Sequence, residues 1–164
     1  MCSKWLAVAA MAFFTAGAHA QAPRDAGVSL VGTWECGPTV MQGPDFDLTV
    51  NSRITRNADH TYSDVTTSII QPRGKTAITT QDQSSGTWQL DADIVTSRVD
   101  RVEFLSSSDP GFTRQQGQAS LEAELKKKSV FRSRLLYLDA NSSRSKPIGS
   151  LYKAAEVESS CRRM

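Results

Sequence analysis

The chain has 164 residues, with 19 Lys and Arg against 17 Asp and Glu and a formal net charge of +2. That near balance argues against a nucleic-acid binder working by bulk charge, because such affinity needs an excess of cations over phosphates. The length is that of one domain, able to bury about two-thirds of the surface its unfolded chain exposes.

Residues 1–20 read as a cleavable secretory signal peptide. Lys4 gives the segment before the apolar run its positive charge, Trp5 to Gly17 carry none, and Ala18-His19-Ala20 offers small residues to a signal peptidase. The apolar run has 13 residues, short of the ~20 that a spanning helix needs. No later run is long enough, so the expectation is a periplasmic or secreted product without stable membrane insertion after cleavage. Cys2 precedes the apolar run, which excludes it as the acylated cysteine of a lipoprotein. Cleavage removes Cys2 and His19 and leaves Cys36 and Cys161, 125 positions apart. Two cysteines in an oxidising compartment pair, so a disulfide is expected to tie the end of the domain to its start.

Residues 21–27 read as a flexible mature N-terminus, and residues 28–161 as a single β domain. A first strand is expected over Val28–Cys36, followed by punctuation at Gly37-Pro38 and Gly43-Pro44. The clearest strand is Asp45–Thr55. Phe46, Leu48, Val50 and Ile54 share one face and Asp47, Thr49, Asn51 and Arg53 the other, the period-two alternation of a half-buried strand. After a turn at Asn57-Ala58-Asp59-His60, a third strand runs over Thr61–Gln71, rich in Thr, Val and Ile. Pro72-Arg73-Gly74 is a turn. Lys75–Gln83 and Gly86–Leu90 read as fourth and fifth strands, and Ile94–Leu105 as a sixth after the turn Asp91-Ala92-Asp93. Residues 115–128 carry both alternation and helical ion-pair spacing (Glu122 to Lys126, Glu124 to Lys128), and their Glu, Ala, Leu and Lys content tips them towards a short helix. Val130–Asp139 is a late strand with Phe131, Leu135 and Tyr137 on one face. Asn141–Pro147 reads as loop, Ile148–Ala154 as the last strand, and Cys161 falls in a polar tail. About eight short strands with turns every ten residues or so suggest an antiparallel up-and-down barrel.

Gly32-Thr33-Trp34 recurs as Gly86-Thr87-Trp88, 54 residues later. A glycine before a strand tryptophan suits a barrel end, where backbone approaches closely and the indole plugs the opening. Between and after these motifs come Ala58-Asp59-His60-Thr61-Tyr62, Leu135-Leu136-Tyr137-Leu138 and Leu151-Tyr152-Lys153. The series resembles small bacterial lipocalin-like domains, with their Gly-x-Trp, Asp-Gly-Thr-Tyr, Gly-Thr-Trp and final Tyr-Lys/Arg strand. The resemblance spans most of residues 28–154 and implies a meander barrel that often binds a ligand. His60 stands where that pattern has glycine, and His tolerates positive φ better than most non-glycine residues.

Catalytic chemistry finds little in the sequence. His60 is the only histidine left after cleavage, it sits in a turn beside Asp59, and no Gly-x-Ser-x-Gly elbow exists. The carboxylate pairs Asp45 with Asp47 and Asp91 with Asp93 lie on a solvent face and at a turn. One His and two paired Cys make no zinc set, and no glycine-rich phosphate loop is present. No enzyme activity, metal or cofactor is therefore expected. Trp34, Phe46, Tyr62, Trp88, Phe104 and Tyr137 are candidate barrel-lining, ligand-binding residues. Lys126, Lys127, Lys128, Arg132 and Arg134 form a basic cluster, ordinarily a solvated face but also a candidate docking patch for an acidic partner. The expectation is a non-catalytic exported binding protein with a small apolar or amphipathic ligand in its barrel. The alternative is a periplasmic inhibitor or immunity protein that binds a toxin or hydrolase.

Overall fold

Alternating strands connected by tight turns leave each strand an antiparallel neighbour, and here the last strand returns to the first. The computed structural model describes residues 29–164. The expected signal peptide at 1–20 and the expected flexible stretch at 21–27 lie outside the described residues. The strands are β1 (Gly32–Gln42), β2 (Phe46–Arg56), β3 (Thr61–Pro72), β4 (Ile78–Asp91), β5 (Ile94–Ser107), β6 (Val130–Leu138), β7 (Ser142–Ile148) and β8 (Ser159–Arg163). They pair in chain order, all antiparallel, and β1 pairs with β8 to close the barrel. Closure leaves no free edge to recruit another chain. Among the described residues a single α-helix, α1 (Arg114–Lys127), links β5 to β6.

The alternation in β2 carries through the sheet. Ile54 opposes Trp34 on β1 and Asp64 on β3, and Asp64 opposes Ser84 on β4. These positions face the interior. The helix starts where a capping box dictates: the Thr113 hydroxyl accepts from the Gln116 amide, and the Gln116 side chain accepts from the Thr113 amide at 2.8 Å. It packs on β5 through Gly117, which lies flat against the Phe104 ring, and through Gln118, which bonds the β5 backbone at Val102 and Phe104.

Several strand boundaries differ from the sequence expectation. The first strand, expected over Val28–Cys36, starts at Gly32 and runs on to Gln42, because Gly37-Pro38 sits in a register irregularity between Cys36 and Thr39 that bends the strand without ending its pairing to β2. Residues read as two strands around Gly86 form one continuous β4. Gly86 marks a bulge, and a Cβ there would stand 1.9 Å from the Arg98 carbonyl oxygen, so glycine serves close approach to β5 rather than a break. The segment Asn141–Pro147, read as loop, forms β7, and the polar tail forms β8. Their inward positions are Ser143, Ser145, Pro147, Ser159 and Cys161, which supply none of the apolar alternation that marks a strand in sequence. Ile148–Ala154, expected as the last strand, ends β7 and then turns through a short 3-10 segment at Lys153–Ala155.

One end of the barrel is sealed. Leu30, Trp34, Trp88, Val95, Leu135 and Leu138 form its core, with Trp34 fully buried. The Trp34 indole N–H donates to the Leu30 carbonyl at 2.9 Å. Arg163 lays its guanidinium over the Trp34 ring, 4.3 Å from the centroid, and donates to the carbonyls of Ser29, Val31 and Ala140. Gly32 makes room for it, since a Cβ there would stand 2.7 Å from Arg163 Nη1. At the neighbouring turn His60 adopts the left-handed φ of 67°, which His tolerates better than most non-glycine residues, while Asp59 accepts from the Thr61 amide and hydroxyl. Cys36 and Cys161 are register partners on β1 and β8 and are joined by a disulfide across the closing seam.

Candidate functional site

Above the sealed end the barrel encloses a chamber of about 440 Å³. Its apolar lining comes from Ile54, Val95, Val99, Val102 and Leu135 of the strands, and from Leu121 and Leu125 of α1. The helix thus replaces a stretch of wall beside the outer half of β5, beyond the β5–β6 pairing that ends at Arg98. Leu30, Phe131 and Pro147 add to this apolar wall, and polar residues make up much of the rest. Ser133, Ser143, Ser145 and Ser159 of β6 to β8 face in from one side, and Arg56, Tyr62, Asp64 and Ser84 of β2 to β4 from the other.

The second group is the most unusual feature of the interior. Arg56 and Tyr62 are register partners, and Asp64 and Ser84 are partners one step further along. Arg56 stands 6.0 Å from the centre of the Trp88 ring, and Ser84 hydrogen-bonds Tyr62. Asp64 accepts from the Thr66 hydroxyl through Oδ2. Arg56 Nε and Asp64 Oδ1 are buried with no hydrogen-bond partner among the described residues. Desolvation pushes the Asp64 carboxyl up to about 6, helped by the neighbouring Asp82 carboxylate and opposed by the Thr66 bond and the Arg56 charge. Burial alone raises Asp82 to about 6. Burial also lowers Arg56 and raises Tyr62. A buried donor and a buried acceptor that lack partners are costly, which makes the pair a natural point of contact for a bound molecule.

The open end is rimmed by Met41, Phe131, Leu151 and Tyr152, the last three exposed. Glu124 and Lys128, at the C-terminal end of α1, line both this rim and the chamber.

Of the six aromatic residues proposed as lining, Tyr62 reaches the chamber. Trp34 and Trp88 belong to the core of the sealed end. Phe104 is buried against Gly117 and packs edge-on to Phe112. Phe46 starts β2 with its side chain largely exposed. Tyr137 lies on the outer face, because a bulge between Leu135 and Tyr137 hands the inward position to Leu138. There it stacks near Arg144 and donates to Asp139, whose carboxyl is held at about 2 by that bond and two backbone amides.

The basic residues do not act as one block. Lys127 pairs with Glu124 at 2.6 Å, Lys128 bonds the Gly149 carbonyl and lies near the Phe131 ring, and Arg134 pairs with Asp93 at 3.4 Å. Lys126 and Arg132 are exposed. His60 stands in its exposed turn, tilted against Trp88 at 5.6 Å.

Arg56 and Asp64 were not singled out in the sequence, although the signal was present. Arg56 continues the inward register of Phe46, Leu48, Val50 and Ile54, and Asp64 follows Tyr62 by two. Among the described residues no group of three or more His, Cys, Asp or Glu is placed to hold a metal ion, and no helix is long and apolar enough to cross a membrane. No family model matches the sequence, and no curated protein matches it significantly.

Proposed function

We propose that this is a non-catalytic, lipocalin-like binding protein, exported to the periplasm or beyond, that holds a small amphipathic ligand inside its barrel. The observation that carries the reading is the chamber itself. A volume of about 440 Å³ falls within the range of small-molecule sites, roughly 300–1,000 Å³. One end is plugged by core side chains, and the walls combine aliphatic surface with a few convergent polar groups. The disulfide on the closing seam suits an oxidising compartment. The mixed lining favours an amphipathic ligand over a purely apolar one, because Arg56, Asp64 and the serines each need a partner when water is displaced.

The test is direct. Mature protein purified under mild conditions from its native compartment is examined by native mass spectrometry, and the emptied protein is titrated with the fluorescent probe N-phenyl-1-naphthylamine. A releasable adduct of small-molecule mass, together with saturable probe binding near one equivalent, supports the reading. A barrel that carries no adduct and gives no probe signal refutes it and turns attention to a protein partner.

A further inference from the structure

Resting on the reading of the barrel as a ligand-binding chamber, we infer that Arg56 and Asp64 form a head-group subsite for an uncharged donor–acceptor group, of which a carboxamide is the simplest, with the ligand's alkyl part against Leu121, Leu125 and Val102. The argument starts from what the two side chains lack. Arg56 Nε–H is a buried donor without an acceptor, and Asp64 Oδ1 is a buried acceptor without a donor. Both residues line the same chamber, from adjacent strands and neighbouring register positions. A ligand carbonyl accepts from Arg56, and an N–H or O–H on the same head donates to Asp64. A head that carries both a carbonyl and an N–H or O–H matches both needs.

Charge decides between head-group classes. An anionic head drawn to Arg56 meets the Asp64 carboxylate, with that of Asp82 nearby on β4. A cationic head drawn to Asp64 meets the Arg56 guanidinium. Glu124 and Lys128, the other charged residues lining the chamber, are of opposite sign and stand at its helix side. In a partly desolvated site like charges repel strongly, so a neutral head takes both hydrogen bonds without either penalty. The apolar lining on α1 and β5 sets where the rest of the molecule lies.

The experiment is a matched series at pH 7.5 against the wild-type protein: decanamide, decanoate and decylamine, each competing with N-phenyl-1-naphthylamine. The chain is constant, so differences report the head. Decanamide is expected to displace the probe at about tenfold lower concentration than either charged analogue, the effect of leaving a buried polar group mismatched. Arg56→Met is expected to weaken decanamide about tenfold relative to the probe, with both affinities measured in that variant. Asp64→Asn is expected to improve decanoate severalfold. Binding of decanoate or decylamine within about threefold of decanamide, with the probe bound normally, overturns the subsite and leaves the binding reading intact. Failure of the probe and of all three compounds overturns the binding reading, and the subsite with it.

Discussion

Arg163 closes the barrel end through contacts that a double-mutant cycle can isolate. Its guanidinium covers the fully buried Trp34 at 4.3 Å and donates to three backbone carbonyls, those of Ser29, Val31 and Ala140. A desolvated cation–π contact is worth about 2 kcal/mol, and a charged hydrogen bond to a part-buried carbonyl about 1.5 kcal/mol or more. The bonds to Ser29 and Ala140 are exposed and add little. Arg163→Ala is therefore expected to cost about 3–4 kcal/mol, and Arg163→Lys, which keeps charge but loses the fork, about 2 kcal/mol. Gly32 supplies the control. An alanine there must adopt φ 122° and meets Arg163 Nη1 at 2.7 Å. The backbone strain, about 1–3 kcal/mol, is present whatever residue occupies position 163. The collision is present only with arginine. Urea melts of the oxidised protein, followed by tryptophan fluorescence, should give Gly32→Ala and Arg163→Ala costs that are less than additive by about 1–2 kcal/mol. Additivity within about 0.5 kcal/mol, or a cost of Arg163→Ala below ~1 kcal/mol, refutes the account of this end as an arginine-clasped plug.

Two further predictions concern the interior and the seam. Asp64, at about 6 in the folded state against an ordinary 3.8, holds a proton between roughly pH 4 and 6 that the unfolded chain has released. Stability from this group therefore rises as pH falls through that window, and above it the full cost of a buried carboxylate applies. Asp64→Asn is expected to stabilise by about 1–2 kcal/mol at pH 7.5, after allowing for lost attraction to Arg56, and by almost nothing at pH 4. Thermal melts at the two pH values check this, and equal shifts at both would contradict it. Reducing the Cys36–Cys161 bond is expected to lower stability by about 4–5 kcal/mol on the chain-entropy view, given the separation of 125 residues. Denaturant midpoints with and without reductant measure that cost. Thiol titration of the unreduced, unfolded domain should find neither Cys36 nor Cys161 free.

The barrel was legible wherever inward positions are apolar. Phe46, Leu48, Val50 and Ile54 announced β2 and its inner face, and the helix showed itself through Leu121, Leu125 and its ion-pair spacing. The reading faltered where the interior is polar. β7 and β8 turn Ser143, Ser145, Ser159 and Cys161 inward, so a hydrophobic alternation could not mark them. Tyr137 was assigned inward because a single-residue bulge leaves no trace in sequence, yet it exchanges the faces of Tyr137 and Leu138. The site suffered from the same bias. Aromatic residues were sought as lining, and five of the six proposed went to the sealed end, to the helix contact, to the outer face or to the exposed start of β2. The orphaned pair at Arg56 and Asp64 sat in the correct register but belonged to the wrong chemical class to attract notice.

The seam disulfide also governs what a protease can accomplish. Cys36 lies on the first strand and Cys161 on the last, so the covalent path between them is a ring that contains every turn of the barrel from β1 to β8. A single cut in any of those turns opens the ring without releasing a fragment, and all eight strands stay tethered. Two cuts are needed before a piece can leave, and even then its strands are held by hydrogen-bonded neighbours on both sides. In surroundings where peptide bonds are broken faster than proteins are replaced, a nicked copy remains one molecule that can still surround its chamber.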